Sequence, residues 1–142
     1  MITPNKLSIV LIDSDSISNF VSNKVIKAAL PSASIVTFTD GKIALEYFEQ
    51  LPLEALPQII IMESKLPYED WKEFMQQYKI LMNAKGFPEI FMICLTASMD
   101  MKKIFDELQV DVIPKPLLKE SVLYMLDKYA HFQNRNSTMA SS

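Results

Sequence analysis

The sequence predicts one α/β domain: an open, doubly wound parallel sheet with helices on both faces. Four short runs, at 7–12, 35–38, 59–62 and 90–95, are rich in isoleucine and valine and do not alternate with polar residues. Strands buried on both faces have that pattern. Between the runs the apolar period lengthens to three and four residues, the spacing of a helix that lays one face on a sheet.

After the first run, Ile17, Phe20, Val21, Val25 and Ala28 share a helical face, and Pro31 stops the segment. Ala44, Tyr47, Phe48 and Leu51 follow the turn Asp40-Gly41. Trp71, Phe74, Met75, Tyr78 and Met82 form the third stripe, with Gly86 just beyond it as a stop. Met101, Ile104, Phe105 and Leu108 give the fourth; Leu118, Val122, Met125 and Tyr129 give the last. A fifth, weaker strand is expected at 111–113, cut short by Pro114, which cannot continue a central strand. The order is βα repeated five times, with the domain over 1–132 and a flexible polar tail over 133–142.

Composition narrows the function classes. The 142 residues carry a net charge of -3, and no lysine or arginine cluster tracks a phosphate backbone, so nucleic acid is not an expected partner. Cys94 is the single cysteine and lies inside an apolar run, as a small buried hydrophobe would. No run approaches the roughly 20 apolar residues of a membrane span, and residues 1–6 do not resemble a signal peptide. The expected compartment is the cytoplasm. His131, the single histidine, has no nucleophile near it in any catalytic motif, so no enzyme constellation emerges.

Ligands of open α/β sheets bind outside the carboxyl ends of the strands. That rule selects Asp13, Ser14 and Asp15 after the first run and Glu63, Ser64 and Lys65 after the third. Thr96, Ala97 and Ser98 follow the fourth, and Pro114, Lys115 and Pro116 the fifth.

Four phrases, Ile12-Asp13-Ser14-Asp15, Met62-Glu63-Ser64-Lys65-Leu66-Pro67, Leu95-Thr96-Ala97-Ser98 and Pro114-Lys115-Pro116, resemble the signature stretches of response-regulator receiver domains, in order and at the right spacing. The match extends over nearly the whole chain, 6–129. The resemblance implies a flavodoxin-like sheet of order 2-1-3-4-5 and a role in two-component or phosphorelay signalling. It places Glu63 at the phosphoacceptor position and Asp13 and Ser14 at the acidic pair. It places Thr96 and Lys115 where phosphoryl oxygens are bound, and Asp13, Glu63 and the Lys65 carbonyl where Mg²⁺ is held.

Three departures bear on function. Glu63 is longer by a methylene than the family's aspartate and is expected to reach toward Lys115 and Thr96, where phosphoryl oxygens would lie. Ser14 is a neutral hydroxyl where Mg²⁺ needs a hard anionic oxygen, so metal binding is expected to be weak or absent. Asp15 lies one residue on, better placed to cap the following helix. Val112 replaces the ring that turns inward on activation. Trp71 stands near the acceptor loop but also fits its helix stripe as core.

The expected function is therefore a stand-alone receiver-like module, not phosphorylated, acting by protein contact. Its implied partners are a histidine kinase or a downstream effector, or a second copy held through the last two helices, where Leu123 and Tyr124 leave the core stripe. The alternative is an atypical phosphoacceptor with residual Mg²⁺-dependent transfer. A flavin module on the same fold is disfavoured, because Asp13 and Asp15 would repel the phosphate and their loop has no glycine.

Overall fold

The computed structural model describes residues 6–64, 71–98 and 102–141, apart from the side chains of 104 and 137–141. The elements are β1 (Ser8–Ile12), α1 (Ser16–Ala29), β2 (Ser34–Phe38), α2 (Gly41–Gln50), a 3₁₀ turn (Leu53–Ala55), β3 (Ile59–Glu63), α3 (Trp71–Lys85), β4 (Phe91–Thr96), α4 (Lys102–Glu107), β5 (Asp111–Pro114) and α5 (Lys119–Ser141). The strands are all parallel in the order β2-β1-β3-β4-β5, the order implied by the resemblance.

Alternate residues of each central strand face opposite layers. Ile9, Leu11, Ile59, Ile61, Ile93 and Leu95 pack with α1 and α5. Val10, Ile12, Ile60, Met62, Met92 and Cys94 pack with α2, α3 and Phe105 of α4. Both faces are covered, which is why the runs show no polar alternation. β5 is an edge strand, so Pro114 sits opposite Thr96 without breaking a ladder on its far side. The Lys115 N–H then donates to the Thr96 carbonyl at 2.7 Å and carries the pairing one residue further.

Helix α1 differs from expectation. Ile17 and Phe20 are 72% and 62% exposed and Val21 is exposed too, while Asn19, Ser22 and Ile26 face the sheet. The cause is polar. Asn19 Nδ2 donates to the carbonyls of Asp13 and Phe38, both at 3.1 Å, and so ties the ends of β1 and β2 to the helix. Ser22 is small enough to lie buried against the sheet. In α5 the expected stripe holds at Val122, Met125 and Tyr129, but Leu118 is exposed and Leu117 is buried instead. In α4, Phe105 is buried and Leu108 is exposed, whereas Met101 lies outside the described residues. Helix α5 continues to Ser141, beyond residue 132, because no proline or glycine follows to stop it. Trp71 is core, its ring 4.5 Å from that of Phe105. Among the described residues no helix is long and apolar enough to cross a membrane.

Two helices end in the same left-handed cap. Gly86, at φ 67°, donates to Asn83 O while Phe87 donates to Met82 O, closing α3. Gln109, at φ 60°, repeats the pattern after α4 through Asp106 and Phe105. A Cβ at Gly86 would meet nothing within 4 Å, so Gly86→Ala tests backbone strain alone. In urea denaturation we expect Gly86→Ala to lose about 1 kcal/mol and Gln109→Gly to gain roughly 0.5–1 kcal/mol.

Candidate functional site

The strand ends carry a buried polar cluster. Asp13, only 3% exposed, is anchored by its own N–H to the Phe38 carbonyl at 3.0 Å. Its Oδ1 accepts from the Asp15 N–H at 2.9 Å, and its Oδ2 accepts from the Ser18 hydroxyl at 2.6 Å. Lys115 Nζ lies 2.8 Å from the same Oδ2. Asp15 faces outward as the N-cap of α1, its Oδ1 accepting from the N–H groups of Ile17 and Ser18 at 2.9 and 3.3 Å.

Glu63 closes β3 and enters the cluster from the other side. Its Oε2 accepts from both the Ser14 N–H at 3.0 Å and the Ser14 hydroxyl at 2.7 Å. Its Oε1 accepts from Lys115 Nζ at 3.0 Å. One ammonium therefore bridges two carboxylates, and Ser14 holds the second oxygen of the longer acid.

The charges tune one another. Burial alone would raise the Asp13 carboxyl, but hydrogen bonds from Lys115, Ser18 and the Asp15 N–H outweigh it and hold the group below the ordinary aspartate range. Burial would likewise depress Lys115, yet Asp13 and Glu63 keep its ammonium protonated above the usual lysine range. Cys94 is pushed up to about 12 by burial and by the charge of Glu63, and it stays a thiol.

The contact expected between Glu63 and Thr96 is not made. Among the described residues the Glu63 carboxylate bonds Ser14 and Lys115 only. Thr96 turns away to Ser98 and to Ser64, whose hydroxyl lies 3.0 Å from its own. Ser14 explains the difference, since its N–H and hydroxyl converge on one Glu63 oxygen and outcompete a single hydroxyl at Thr96. Val112 is half-buried in β5 opposite Cys94, packed against the α2–α4 layer. Lys65 lies outside the described residues.

Among the described residues, the side chains that would hold Mg²⁺ are already engaged. Both Asp13 oxygens and both Glu63 oxygens already accept hydrogen bonds, an ammonium occupies the space between them, and Ser14 donates rather than ligates. Among the described residues no group of three metal-ligating side chains converges.

This architecture has solved counterparts. A two-component response regulator from Cytophaga hutchinsonii matches with a TM-score of 0.74 at 23% identity, over 89% of this chain and 98% of that one. The chain has the receiver fold. A two-component response regulator from Legionella pneumophila matches at 0.70 and 19% identity over 89% and 99% of the two chains. The chemotaxis response regulator CheY4 of Vibrio cholerae matches at 0.63 and 22% over 87% and 98%. No protein-family model matches the chain, and no curated protein does at significance. On the receiver fold, β1, β3, β4 and β5 bring Asp13, Ser14, Glu63, Thr96 and Lys115 to one end of the sheet.

Ser18 and Asn19 belong to this site without having been assigned to it from the sequence, and Ser64, selected there as a strand-end residue, was given no partner. Ser18 was visible as a hydroxyl in the first turn of α1, 5 residues after Asp13. Ser64 was visible as the residue that alternation turns away from Glu63.

The pKa directions set the pH window of stability. Asp13 is depressed, so its contribution is present above the ordinary aspartate value and is lost as pH falls through its lower folded value. Lys115 is raised, so its contribution is present below the ordinary lysine value and is lost as pH rises through its higher folded value. Thermal melts should therefore show a plateau from about pH 5 to 9, falling below about 4 and above about 10. Lys115→Met should flatten the alkaline limb and lower stability by roughly 3 kcal/mol, because it leaves buried Asp13 without its counter-charge.

Proposed function

We propose that the chain is a receiver-like signalling module that is not phosphorylated and acts through protein contact. The receiver fold supports a place in two-component or phosphorelay signalling. The carrying observation is the state of Glu63: one carboxylate oxygen takes two hydrogen bonds from Ser14 and the other takes the Lys115 ammonium. An acyl phosphate needs a carboxylate oxygen to attack phosphorus in line, with a cation and Thr96 receiving the transferred charge. Here both oxygens are engaged, Thr96 is turned to other partners, and the donor set is unsuited to Mg²⁺. The Glu63–Lys115 pair holds the strand ends together without a ligand.

Exposed apolar side chains support the contact role. On α5, Leu123 and Tyr124 are exposed, and on α1 so are Ile17, Phe20 and Val21. The α1 group lies directly beyond the Asp13–Asp15 loop, so a signalling partner seated there would meet the site's rim. A histidine kinase, a downstream effector or a second copy of the chain remain the partner classes that suit these faces.

Intact-mass measurement after incubation with Mg²⁺ and a small acyl-phosphate donor tests the reading. We expect no phosphoryl adduct; an adduct lost in Glu63→Gln would establish the atypical phosphoacceptor instead. Millimolar Mg²⁺ should also leave Trp71 fluorescence and the melting temperature unchanged, since a cation that does not bind the native state cannot stabilise it. Ser14→Asp alone should lower stability by roughly 1–2 kcal/mol, because it exchanges a donor for a second carboxylate facing Glu63. Ser14→Asp with Glu63→Asp should create saturable Mg²⁺ binding where the parent has none.

A further inference from the structure

Thr96 and Ser64 are both buried, at 1% and 5% exposure, and their hydroxyls meet at 3.0 Å. Ser64 is joined to β4 by its own backbone, its N–H donating to the Leu95 carbonyl at 3.0 Å. Thr96 Oγ1 donates its one proton to the Ser98 carbonyl at 2.8 Å and accepts from the Ser98 N–H at 3.1 Å. A threonine hydroxyl has one proton and two acceptor lone pairs. With its proton spent on Ser98, Thr96 can only accept from Ser64, and that bond fills its last site. The direction of the Ser64–Thr96 bond is thereby fixed: Ser64 donates.

We propose that Ser64 is a positioning residue that, by completing the hydrogen bonds of Thr96, holds this side chain and the backbone at Ser98 in a single arrangement turned away from Glu63. The proposal rests on the reading of the site as one without a phosphoryl group, and extends it to the neighbouring loop. A phosphoryl oxygen at Glu63 would have to take the Thr96 proton from Ser98 and displace the Ser64 donor. The hydroxyl pair therefore uncouples Ala97 and Ser98, just after β4, from whatever stands at position 63, and any partner contacting these two residues meets one constant surface.

The test uses the isotopically labelled full chain, with neither Mg²⁺ nor a phosphoryl donor, so its outcome is independent of the intact-mass result. Three-bond scalar couplings to the Thr96 γ-methyl report its rotamer, and amide exchange reports the Ser98 N–H. We expect one Thr96 rotamer in the parent, averaging between rotamers in Ser64→Ala, and one rotamer again in Ser64→Thr, which keeps the donor. Ser98 exchange should quicken roughly fivefold in Ser64→Ala, the effect of one lost hydrogen bond. A single unchanged Thr96 rotamer in Ser64→Ala, or averaging in Ser64→Thr equal to that in Ser64→Ala, would overturn the proposal. Should Ser64→Ala fail to fold, Ser64→Cys, close in size with a feeble donor, makes the same comparison: averaging supports the proposal and a fixed rotamer overturns it.

Discussion

Two carboxylates at the end of a close-packed sheet need a counter-charge, and Lys115 supplies it to both. Its ammonium stands 2.8 Å from Asp13 and 3.0 Å from Glu63, in a place where water can no longer screen the acids well. The position of that ammonium depends on backbone pairing. The Lys115 N–H donates to the Thr96 carbonyl, which extends the β4–β5 ladder past Pro114 and aims the lysine back over the sheet. The Asp13 N–H is fixed to β2 in the same way, through the Phe38 carbonyl. Charge balance and strand register at this end of the molecule are thus one constraint.

Glu63 and Ser14 fit one another. A glutamate reaches further than an aspartate, and Ser14 provides the two donors that receive the extra reach. An acid at position 14 would stand against Glu63, and a shorter acid at position 63 would leave Ser14 without its acceptor. In the function proposed above, the pair puts an internal, hydrogen-bonded carboxylate where an external phosphoryl group would otherwise come and go. Thr96 lies outside this exchange, occupied by Ser64 and Ser98, and Val112 carries no ring that could report on it. The consequence is a site whose groups satisfy each other, beside helix faces that display Phe20 and Tyr124 to solvent.

The sheet was legible because burial on two faces leaves uninterrupted apolar runs, and all four strong runs became strands. The cluster was legible because a parallel sheet collects its strand ends, so Asp13, Glu63, Thr96 and Lys115 could be gathered without knowing any distance. The orientation of α1 was not legible. Hydrophobic period alone turned Ile17, Phe20 and Val21 inward, whereas the amide of Asn19, bonding two strand-end carbonyls, set the opposite rotation. The direction of Thr96 was hidden for a similar reason: a hydroxyl chooses among nearby partners, and its choice here depends on Ser64, thirty-two positions away in sequence. Glu63 was read toward the right lysine but toward the wrong hydroxyl, because the backbone N–H of Ser14 adds a donor that residue identity does not announce.

The most direct measurement is a double-mutant cycle in which Ser14→Ala, Glu63→Met and the double variant are compared with the parent by urea denaturation. A tethered Glu63 requires the two positions to be coupled by about 1 kcal/mol or more, since a hydrogen bond to a charged group is lost once and not twice. Additive effects, with a coupling of less than roughly 0.3 kcal/mol, would contradict it.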